Sequence, residues 1–357
     1  MKEIRSVTVK IGSNVLSTAD GKPNLQVMQQ LVDQIQTLHQ KNIRTILVSS
    51  GAVAVGKGLF EAKTKLDQVA ERQLFSAIGQ THLIQLYRHL FSEKHLTCAQ
   101  VLATRSDFDY RGPYTNMQSC LHALLDNDVI PIINENDTVS ISELMFTDND
   151  ELATLIASMM HTDILILLTS VDGIYTGDPT DAASVFLPEI GAKDSLDRIT
   201  QVGKSSFGRG GMLSKVRLAQ KAASLGIETY IANGSRASSI LDVLNKTPPF
   251  THFPAERSQR SAKRKLAWSD PITTGAIVLN EGAEEALRAK AACSILPVGV
   301  VQVESSFDAQ EIIAVKNIAG KRIAVGRAAY SSHVLEQVLG QRNQQAIIHY
   351  DYLYAFH

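Results

Sequence analysis

Small and polar residues recur where apolar stretches end in the first 215 residues, and the first and last of these clusters contain a lysine. The clusters are Lys10-Ile-Gly-Ser-Asn, Ser49-Ser-Gly-Ala, Asn134-Glu-Asn-Asp137, Thr169-Ser-Val-Asp-Gly and Gly208-Arg-Gly-Gly-Met-Leu-Ser-Lys215. Ligands of parallel sheets bind at the carboxyl ends of strands, because helix N-termini and loop amides converge there. Three glycines before a predicted helix, with a lysine in its first turns, suit an anionic phosphate. Taken together, the clusters favour phosphoryl transfer, in which positioning and charge stabilisation dominate.

Each cluster also has a purely structural interpretation that the sequence leaves open. Lys10 could protect an edge strand from aggregation, and Ser50-Gly51 could form an ordinary strand-to-helix turn. The glycines before Met212 could belong to a loop that binds nothing. Four polar residues directly after the apolar run 129–133 are harder to explain without a polar ligand, because buried polar groups need hydrogen-bonding partners.

The spacing of apolar residues predicts the elements that position these clusters. Strands are predicted at 6–12, 45–51, 98–102, 129–133, 164–168 and 227–232, and helices at 25–38, 67–93, 116–125, 151–160 and 212–225. Strand-helix-strand alternation is the unit of a parallel sheet. The uniformly apolar segment 164–168 indicates a central strand that is covered on both faces.

The helical periodicity stops near residue 248, and the sequence beyond it has a different character. Residues 246–270 carry six Lys or Arg and two Asp or Glu, a net charge of +4. Short strands are then predicted at 276–279, 299–303, 311–315 and 322–326, with a helix at 283–291. We therefore predict an α/β domain over 1–250, a basic linker over 251–274 and a small β-rich domain over 275–357.

Composition excludes several classes of protein. The 357 residues are 44% hydrophobic and 20% charged, which describes a globular chain of about two domains. A net charge of −1 gives no global attraction to nucleic acid or anionic membranes. Three widely separated cysteines support neither a disulfide framework nor a paired-cysteine zinc site. With a charged N-terminus and no long apolar run, we expect a cytoplasmic protein without a membrane segment.

The clusters resemble the amino-acid kinase family, in particular members that phosphorylate glutamate and carry a C-terminal PUA domain. The matching motifs are V-K-I-G-S, V-S-S-G-A-V-A-V-G, V-I-P-I-I-N-E-N-D followed by D-N-D, L-L-T-S-V-D-G-I-Y-T-G-D-P and G-R-G-G-M-L-S-K. The resemblance implies a layered α/β/α kinase domain with a mainly parallel sheet, followed by a PUA-like domain. It also implies ATP-dependent phosphorylation of the side-chain carboxylate of L-glutamate to L-glutamyl 5-phosphate, the first step of proline biosynthesis.

The resemblance also assigns roles to individual residues. It makes Lys10, Lys215 and Asp150 catalytic, with the two lysines on the phosphoryl groups and Asp150 orienting them. The implied glutamate-binding residues are Ser50, Gly51, Ala52, Asn134, Asp137 and Asn149. The implied ATP-binding residues are Lys10, Gly12, Thr169, Ser170, Arg209, Gly210, Gly211, Met212, Leu213, Ser214 and Lys215. Asp137 would pair with the substrate ammonium. ATP is expected with Mg²⁺, and no protein ligand of the metal is assigned.

Two positions depart from the family pattern, since aspartate is commoner where Ser170 stands and threonine where Arg209 stands. The resemblance further implies a homo-oligomer and functional coupling to glutamyl phosphate reductase.

Two other functions stay open. One is a kinase of another carboxylate or phosphate acceptor, which the N-E-N-D cluster disfavours. The other is an RNA-binding protein acting through the PUA-like domain, although an aromatic content of 6% disfavours single-stranded RNA as the main ligand.

Overall fold

The computed structural model describes residues 3–18, 21–139, 148–196, 211–256, 273–289 and 293–356. The chain divides into two compact units, Met1–Ser258 and Gln259–His357. Within the described ranges, no helix is both long enough and apolar enough to cross a membrane.

The first unit is built on a seven-stranded sheet. Its strands are β1 (Ser6–Ile11), β2 (Arg44–Ser49), β3 (Thr97–Ala103), β4 (Val129–Glu135), β5 (Ile164–Thr169), β8 (Glu228–Asn233) and β9 (Thr251–Phe253), while β6 (Ile174–Tyr175) and β7 (Phe186–Leu187) form a separate hairpin. The strand order is β3-β4-β2-β1-β5-β8-β9. All neighbours are parallel except β8 and β9. The carboxyl ends of the parallel strands therefore meet along one edge of the sheet.

Helices cover both faces of this sheet. They are α1 (Ser13–Leu16), α2 (Leu25–Gln40), α3 (Ala52–Leu59), α4 (Gln68–Glu93), α5 (Ser106–Asp109), α6 (Arg111–Asp126), α7 (Asn149–Met160), α8 (Met212–Ser224) and α9 (Ser239–Asn245). The buried residues Val7, Val9 and Ile11 of β1 pack in one core with α2, α4 and α9. Side chains alternate along a strand, so Lys10 points to the opposite face. That face is covered by α7 and α8.

The predicted α/β architecture is confirmed, and the central strands and long helices agree with the sequence to within a few residues. Strand β1 lies between β2 and β5. The alternative in which Lys10 protects an edge strand is therefore wrong. The short helices α3 and α9 were not predicted, because seven or eight residues give too little periodicity.

The predicted linker needs a correction at its start. Residues Thr251–Phe253 are strand β9, which pairs antiparallel with β8, and Thr251 and Phe253 are buried. A three-residue strand is too short to show the alternation that identifies a strand. Most of the basic segment, residues 257–272, lies outside the described residues. The other predicted domain boundaries stay predictions.

The second unit has its own sheet and core. Its elements are β10 (Gly275–Leu279), α10 (Glu281–Ala289), β11 (Val300–Ser305), β12 (Ile312–Lys316), β13 (Arg322–Arg327), α11 (Ser332–Val338) and β14 (Leu353–Ala355). The strand order is β11-β10-β12-β13-β14, with only β10 and β12 parallel. Ile277, Val315 and Leu335 are fully buried in its core. The predicted β-rich second domain is confirmed.

Two glycines allow α3 and α4 to pack with their backbones in contact. A Cβ atom at Gly79 would overlap the carbonyl group of Ala52, and one at Gly56 would overlap the backbone of Phe75. This contact fixes the first turn of α3, which directly follows Ser50 and Gly51. Gly51 itself has φ of 101°, a left-handed conformation that favours glycine.

We expect Gly79→Ala to lower the free energy of unfolding of the first unit by about 1–3 kcal/mol or more, because the added methyl group meets backbone atoms that cannot move aside. Gly112→Ala is the matched control, since Gly112 is also helical and has open space around its Cβ position. It should be neutral or stabilising by up to about 1 kcal/mol. Urea denaturation of both variants checks this, and equal stabilities would contradict the backbone contact.

Candidate functional site

A buried carboxylate between two lysines occupies the carboxyl end of the central strands. The Lys10 Nζ atom lies 2.5 Å from Oδ1 of Asp150, and Lys215 Nζ forms an ion pair with Oδ2 of the same carboxylate. The side chains of Lys10, Asp150 and Lys215 are 5%, 1% and 16% exposed. We call these three residues the ion triad. The structure thus brings together the three residues that the sequence assigns to catalysis.

Three different elements deliver the triad. Lys10 is the fifth residue of β1, Asp150 is the second residue of α7, and Lys215 lies in the first turns of α8. The carboxylate of Asp148 caps α7 by accepting hydrogen bonds from the amides of Asp150 and Glu151 at 2.9 and 3.1 Å. This cap fixes the first turn of α7 and therefore the position of Asp150.

Burial and pairing determine the charges of the triad. Burial raises the pKa of Asp150, but Lys10 and Lys215 outweigh that effect, so the pKa lies well below its usual range. Burial lowers the pKa of Lys10, and Asp150 offsets only part of this effect. For Lys215 burial also lowers the pKa, but Asp150 and Asp148 outweigh it and raise the pKa above its usual value. The lysines differ because Lys10 is more deeply buried and is also repelled by the charge of Lys215.

A hydrogen-bonded group that we call the amide cluster consists of Ser50, Asn134 and Asn149. Asn149 directly precedes Asp150 of the triad in the chain. The Nδ2 group of Asn149 is 2.9 Å from Ser50 Oγ, 2.9 Å from Asn134 Oδ1 and 3.2 Å from the carbonyl oxygen of Ser49. Fully buried Tyr87 supports this arrangement from α4, with its hydroxyl group 3.0 Å from Ser49 Oγ. The structure thus unites Ser50, Asn134 and Asn149, and it places Gly51 and Ala52 at the start of α3.

Two oxygen atoms at the start of α7 lack donors. Asn149 Oδ1 and Asp148 Oδ2 are buried and accept no hydrogen bond from the described residues. Burial and the nearby carboxylate of Asp150 raise the pKa of Asp148. Buried acceptors without donors are costly, so both atoms fit a ligand that supplies a hydrogen-bond donor or a cation.

Asp137 forms a third cluster that faces α4. Arg72 donates from Nε to Asp137 Oδ1 at 2.6 Å and from Nη2 to Glu135 Oε2 at 2.7 Å, and Ser76 Oγ donates to Asp137 Oδ2 at 3.2 Å. Both carboxylates are buried, with exposures of 5% for Asp137 and 3% for Glu135. Contacts among the described residues do not join Asp137 to the amide cluster directly. The two are linked through the short segment from Asn134 to Asp137.

The predicted nucleotide residues are distributed over the same edge of the sheet. Gly12 follows β1, and a Cβ atom there would lie 3.6 Å from Lys10 Nζ, so the glycine keeps space open beside that ammonium. Thr169 ends β5 and is largely buried, whereas Ser170 is exposed. The residues Gly211, Met212, Leu213 and Ser214 form the beginning of α8. Arg209 and Gly210 lie outside the described residues.

Sequence reasoning missed three residues of the site. Asp148 belongs to the D-N-D motif, but no role was assigned to it. Arg72 and Ser76 lie in a long helix without a motif, and their contacts to Asp137 span 65 and 61 residues of sequence. No local pattern reports such contacts, because they exist only once α4 packs beside β4.

The described residues do not form a metal site of their own. Among the described residues, no group of three His, Cys, Asp or Glu side chains could hold a metal ion. Mg²⁺ commonly binds through one or two carboxylates together with substrate phosphates and water. The free Oδ2 of Asp148 is a ligand of that kind. The arrangement as a whole combines two fixed cations with polar groups that can hold an amino acid, which suits transfer of an anionic phosphoryl group.

Comparisons with known proteins agree with this geometry. Residues 6–233 match the model of the Amino acid kinase family, and residues 275–350 match the PUA domain. Proteins named Glutamate 5-kinase from Bacteroides thetaiotaomicron and Chlorobaculum tepidum are 44% and 40% identical to this chain. The first match covers 99% of both chains, and the second covers 98% of this chain and 97% of the relative.

A solved structure titled as an isopentenyl phosphate kinase substrate complex is 18% identical, with a TM-score of 0.52. The match covers 70% of this chain and all of that one. At this identity the likeness concerns the fold alone. The sequence relatives carry the more specific information, because they match over almost the whole length. The chain therefore belongs to the amino acid kinase family, in which the glutamate 5-kinases are its full-length relatives, and it carries a C-terminal PUA domain.

Proposed function

We propose that this protein transfers the γ-phosphoryl group of ATP to the side-chain carboxylate of L-glutamate. The observation that carries the proposal is the ion triad beside the amide cluster, at the carboxyl ends of β1, β2 and β4. The identity of the acceptor is supported by the relatives named glutamate 5-kinase. The products are L-glutamyl 5-phosphate and ADP.

The chemistry explains why the site is rich in cations. A side-chain carboxylate oxygen attacks the γ-phosphorus atom, and the bond between that phosphorus and the bridging oxygen of ADP breaks. The attacking carboxylate is already anionic, so the step requires no general base. Negative charge accumulates on the phosphoryl oxygens instead, and Lys10 and Lys215 are placed to stabilise it. Asp150 keeps the two ammonium groups together, and it is a positioning residue for the lysines.

The amide cluster provides the other half of the site. Ser50, Asn134 and Asn149 surround the glutamate in the proposal, with the amides of Gly51 and Ala52 at the start of α3. The free Oδ1 of Asn149 offers an acceptor to a substrate donor. Asp137 provides the negative charge that an ammonium group requires.

The nucleotide lies on the other side of Lys10 in this proposal. The first amides of α8, at Gly211 to Ser214, have no partner within the helix and can bind phosphate oxygens. Thr169 and Ser170 line the nucleotide site at the end of β5. Asp148 is the protein carboxylate that would be free to meet a Mg²⁺ ion bound to ATP, and that ion would neutralise phosphate charge.

Other expectations accompany this function. A homo-oligomer, coupling to glutamyl phosphate reductase, a cytoplasmic location and RNA binding by the PUA domain stay predictions. The residues assigned to chemistry all lie in the first unit, which supports a regulatory or interacting role for the second.

A coupled assay of ADP release tests the function. Release should depend on both Mg²⁺-ATP and L-glutamate, and it should be far slower with D-glutamate, L-aspartate or N-acetyl-L-glutamate. Chelation of Mg²⁺ should stop it. Faster turnover of one of the other acceptors would favour a different kinase, and stabilisation by short RNA but not by Mg²⁺-ATP would favour the RNA-binding alternative.

We expect Lys10→Ala and Lys215→Ala each to lower kcat by about a hundredfold or more, since each removes a preorganised charge from the transferred group. Arg217→Ala is the matched control, because Arg217 is an exposed cation two residues further along α8. Its kcat should stay near that of the unaltered protein. Steady-state kinetics check this, and a lysine variant with normal kcat and only a raised KM would exclude a role in the transition state.

A further inference from the structure

The residues assigned to glutamate binding leave one charge of the substrate without a partner. Ser50, Gly51, Ala52, Asn134, Asp137 and Asn149 include one anion and no cation. The α-carboxylate of glutamate is negative, and burying it beside Asp137 without a positive charge would be costly. Lys10 and Lys215 are assigned to the phosphoryl group. A cation close to Asp137 would favour binding of that carboxylate, in addition to the amides at the start of α3.

Arg72 is in contact with Asp137 and has a donor to spare. Its Nε and Nη2 atoms are used by Asp137 and Glu135. Its Nη1 atom has no partner among the described residues, and the side chain is 18% exposed. The guanidinium is therefore fixed along the edge that Nε and Nη2 form, and the side chain as a whole is partly accessible. A planar guanidinium suits a carboxylate, because it presents parallel donors in a rigid geometry.

The surroundings of Arg72 make it a rigid element of the site. Its neighbour Gln73 donates to the carbonyl oxygen of Thr138 at 3.1 Å, so α4 holds the segment after β4 at more than one point. Helix α4 is in turn locked against α3 through Gly79. Asp137 retains a more weakly engaged oxygen, since among the described residues its Oδ2 accepts only from the hydroxyl group of Ser76, at 3.2 Å.

We propose that Arg72 is a specificity-determining residue that binds the α-carboxylate of glutamate through Nη1. This inference rests on the proposed function. The ammonium and carboxylate groups of an α-amino acid are attached to the same carbon atom, so recognition of both needs an anion and a cation side by side. The contact of 2.6 Å between Arg72 Nε and Asp137 Oδ1 provides that pair. The pair selects amino acids over dicarboxylates without an ammonium group and over amines without an α-carboxylate.

Arg72→Gln tests the proposal in the full-length protein. We expect its KM for L-glutamate to rise by about tenfold to a hundredfold, the range for loss of a charged hydrogen bond, while the KM for ATP changes by less than about twofold. Arg72→Lys keeps the charge but loses the planar group. Its KM for L-glutamate should lie between that of the unaltered protein and that of Arg72→Gln. An unchanged KM for L-glutamate in Arg72→Gln would overturn the proposal.

A second substrate separates α-carboxylate recognition from a merely structural role. The α-amide of L-glutamate keeps the side-chain carboxylate and the ammonium group but has no α-carboxylate. Its kcat/KM, or its inhibition constant against L-glutamate, should be nearly the same in the unaltered protein and in Arg72→Gln. Equal losses for L-glutamate and the amide would mean that Arg72 only supports Asp137, and would overturn the proposal.

A control variant and a fallback variant accompany Arg72→Gln. Gln73→Ala removes a contact between α4 and the same segment without removing a charge, and it should leave the preference for L-glutamate over the amide unaltered. If Arg72→Gln fails to fold, Arg72→Lys decides, because it keeps a cation beside both carboxylates. An unaltered protein that is inactive with L-glutamate would refute the proposed function, whereas an active one with an unchanged Arg72→Gln variant would refute only this inference.

Discussion

The pairing of Asp150 with Lys10 and Lys215 is the interaction on which the site depends. An isolated charge is expensive to bury, and removing one partner of a buried ion pair typically costs about 3–5 kcal/mol. The triad meets this constraint by sharing one carboxylate between two ammonium groups. The triad itself keeps one net positive charge, with the carboxylate of Asp148 nearby, and it lies where the proposed reaction accumulates negative charge. The same arrangement thus permits the cations to be buried and leaves them available to a phosphoryl group.

The sheet explains how this arrangement is built. Lys10 extends from the face of β1 opposite the large hydrophobic core, where α7 and α8 bring Asp150 and Lys215 to it. Asn149 and Asp150 are consecutive at the start of α7, so one helix terminus contributes to both the amide cluster and the triad. The cap by Asp148 fixes that terminus. Substrate recognition and charge stabilisation are therefore coupled by a single turn of helix.

Much of this fold and site follows from the sequence, for physical reasons. The β-branched residues between Ser6 and Ile11, ended by Gly12, identify the strand. The N-E-N-D, D-N-D and G-R-G-G-M-L-S-K motifs mark polar groups placed after strands or before helices. The family resemblance then assigns their roles. Lys10, Asp150 and Lys215 were selected in this way, and the structure brings them into contact.

The remainder depends on packing between distant segments. Arg72 carries no local signal, because a charged residue in a helix is usually a solvated one. Its contact with Asp137 becomes visible only when α4 lies against the segment after β4. The strand at Thr251–Phe253 was missed for a related reason, since its pairing with β8 depends on a neighbour and not on its own composition. Sequence patterns carry little information about short elements and about ion pairs between distant segments.

The central claim is that Asp150 acts by keeping two buried lysines charged and in place. The most direct test is an NMR titration of the lysine Nζ atoms in the unaltered protein and in Asp150→Asn, with signals assigned from Lys10→Arg and Lys215→Arg. Without the carboxylate, burial and mutual repulsion both oppose protonation, so the pKa values of Lys10 and Lys215 should fall in Asp150→Asn. Unchanged titration of both lysines in a folded Asp150→Asn protein would contradict this account.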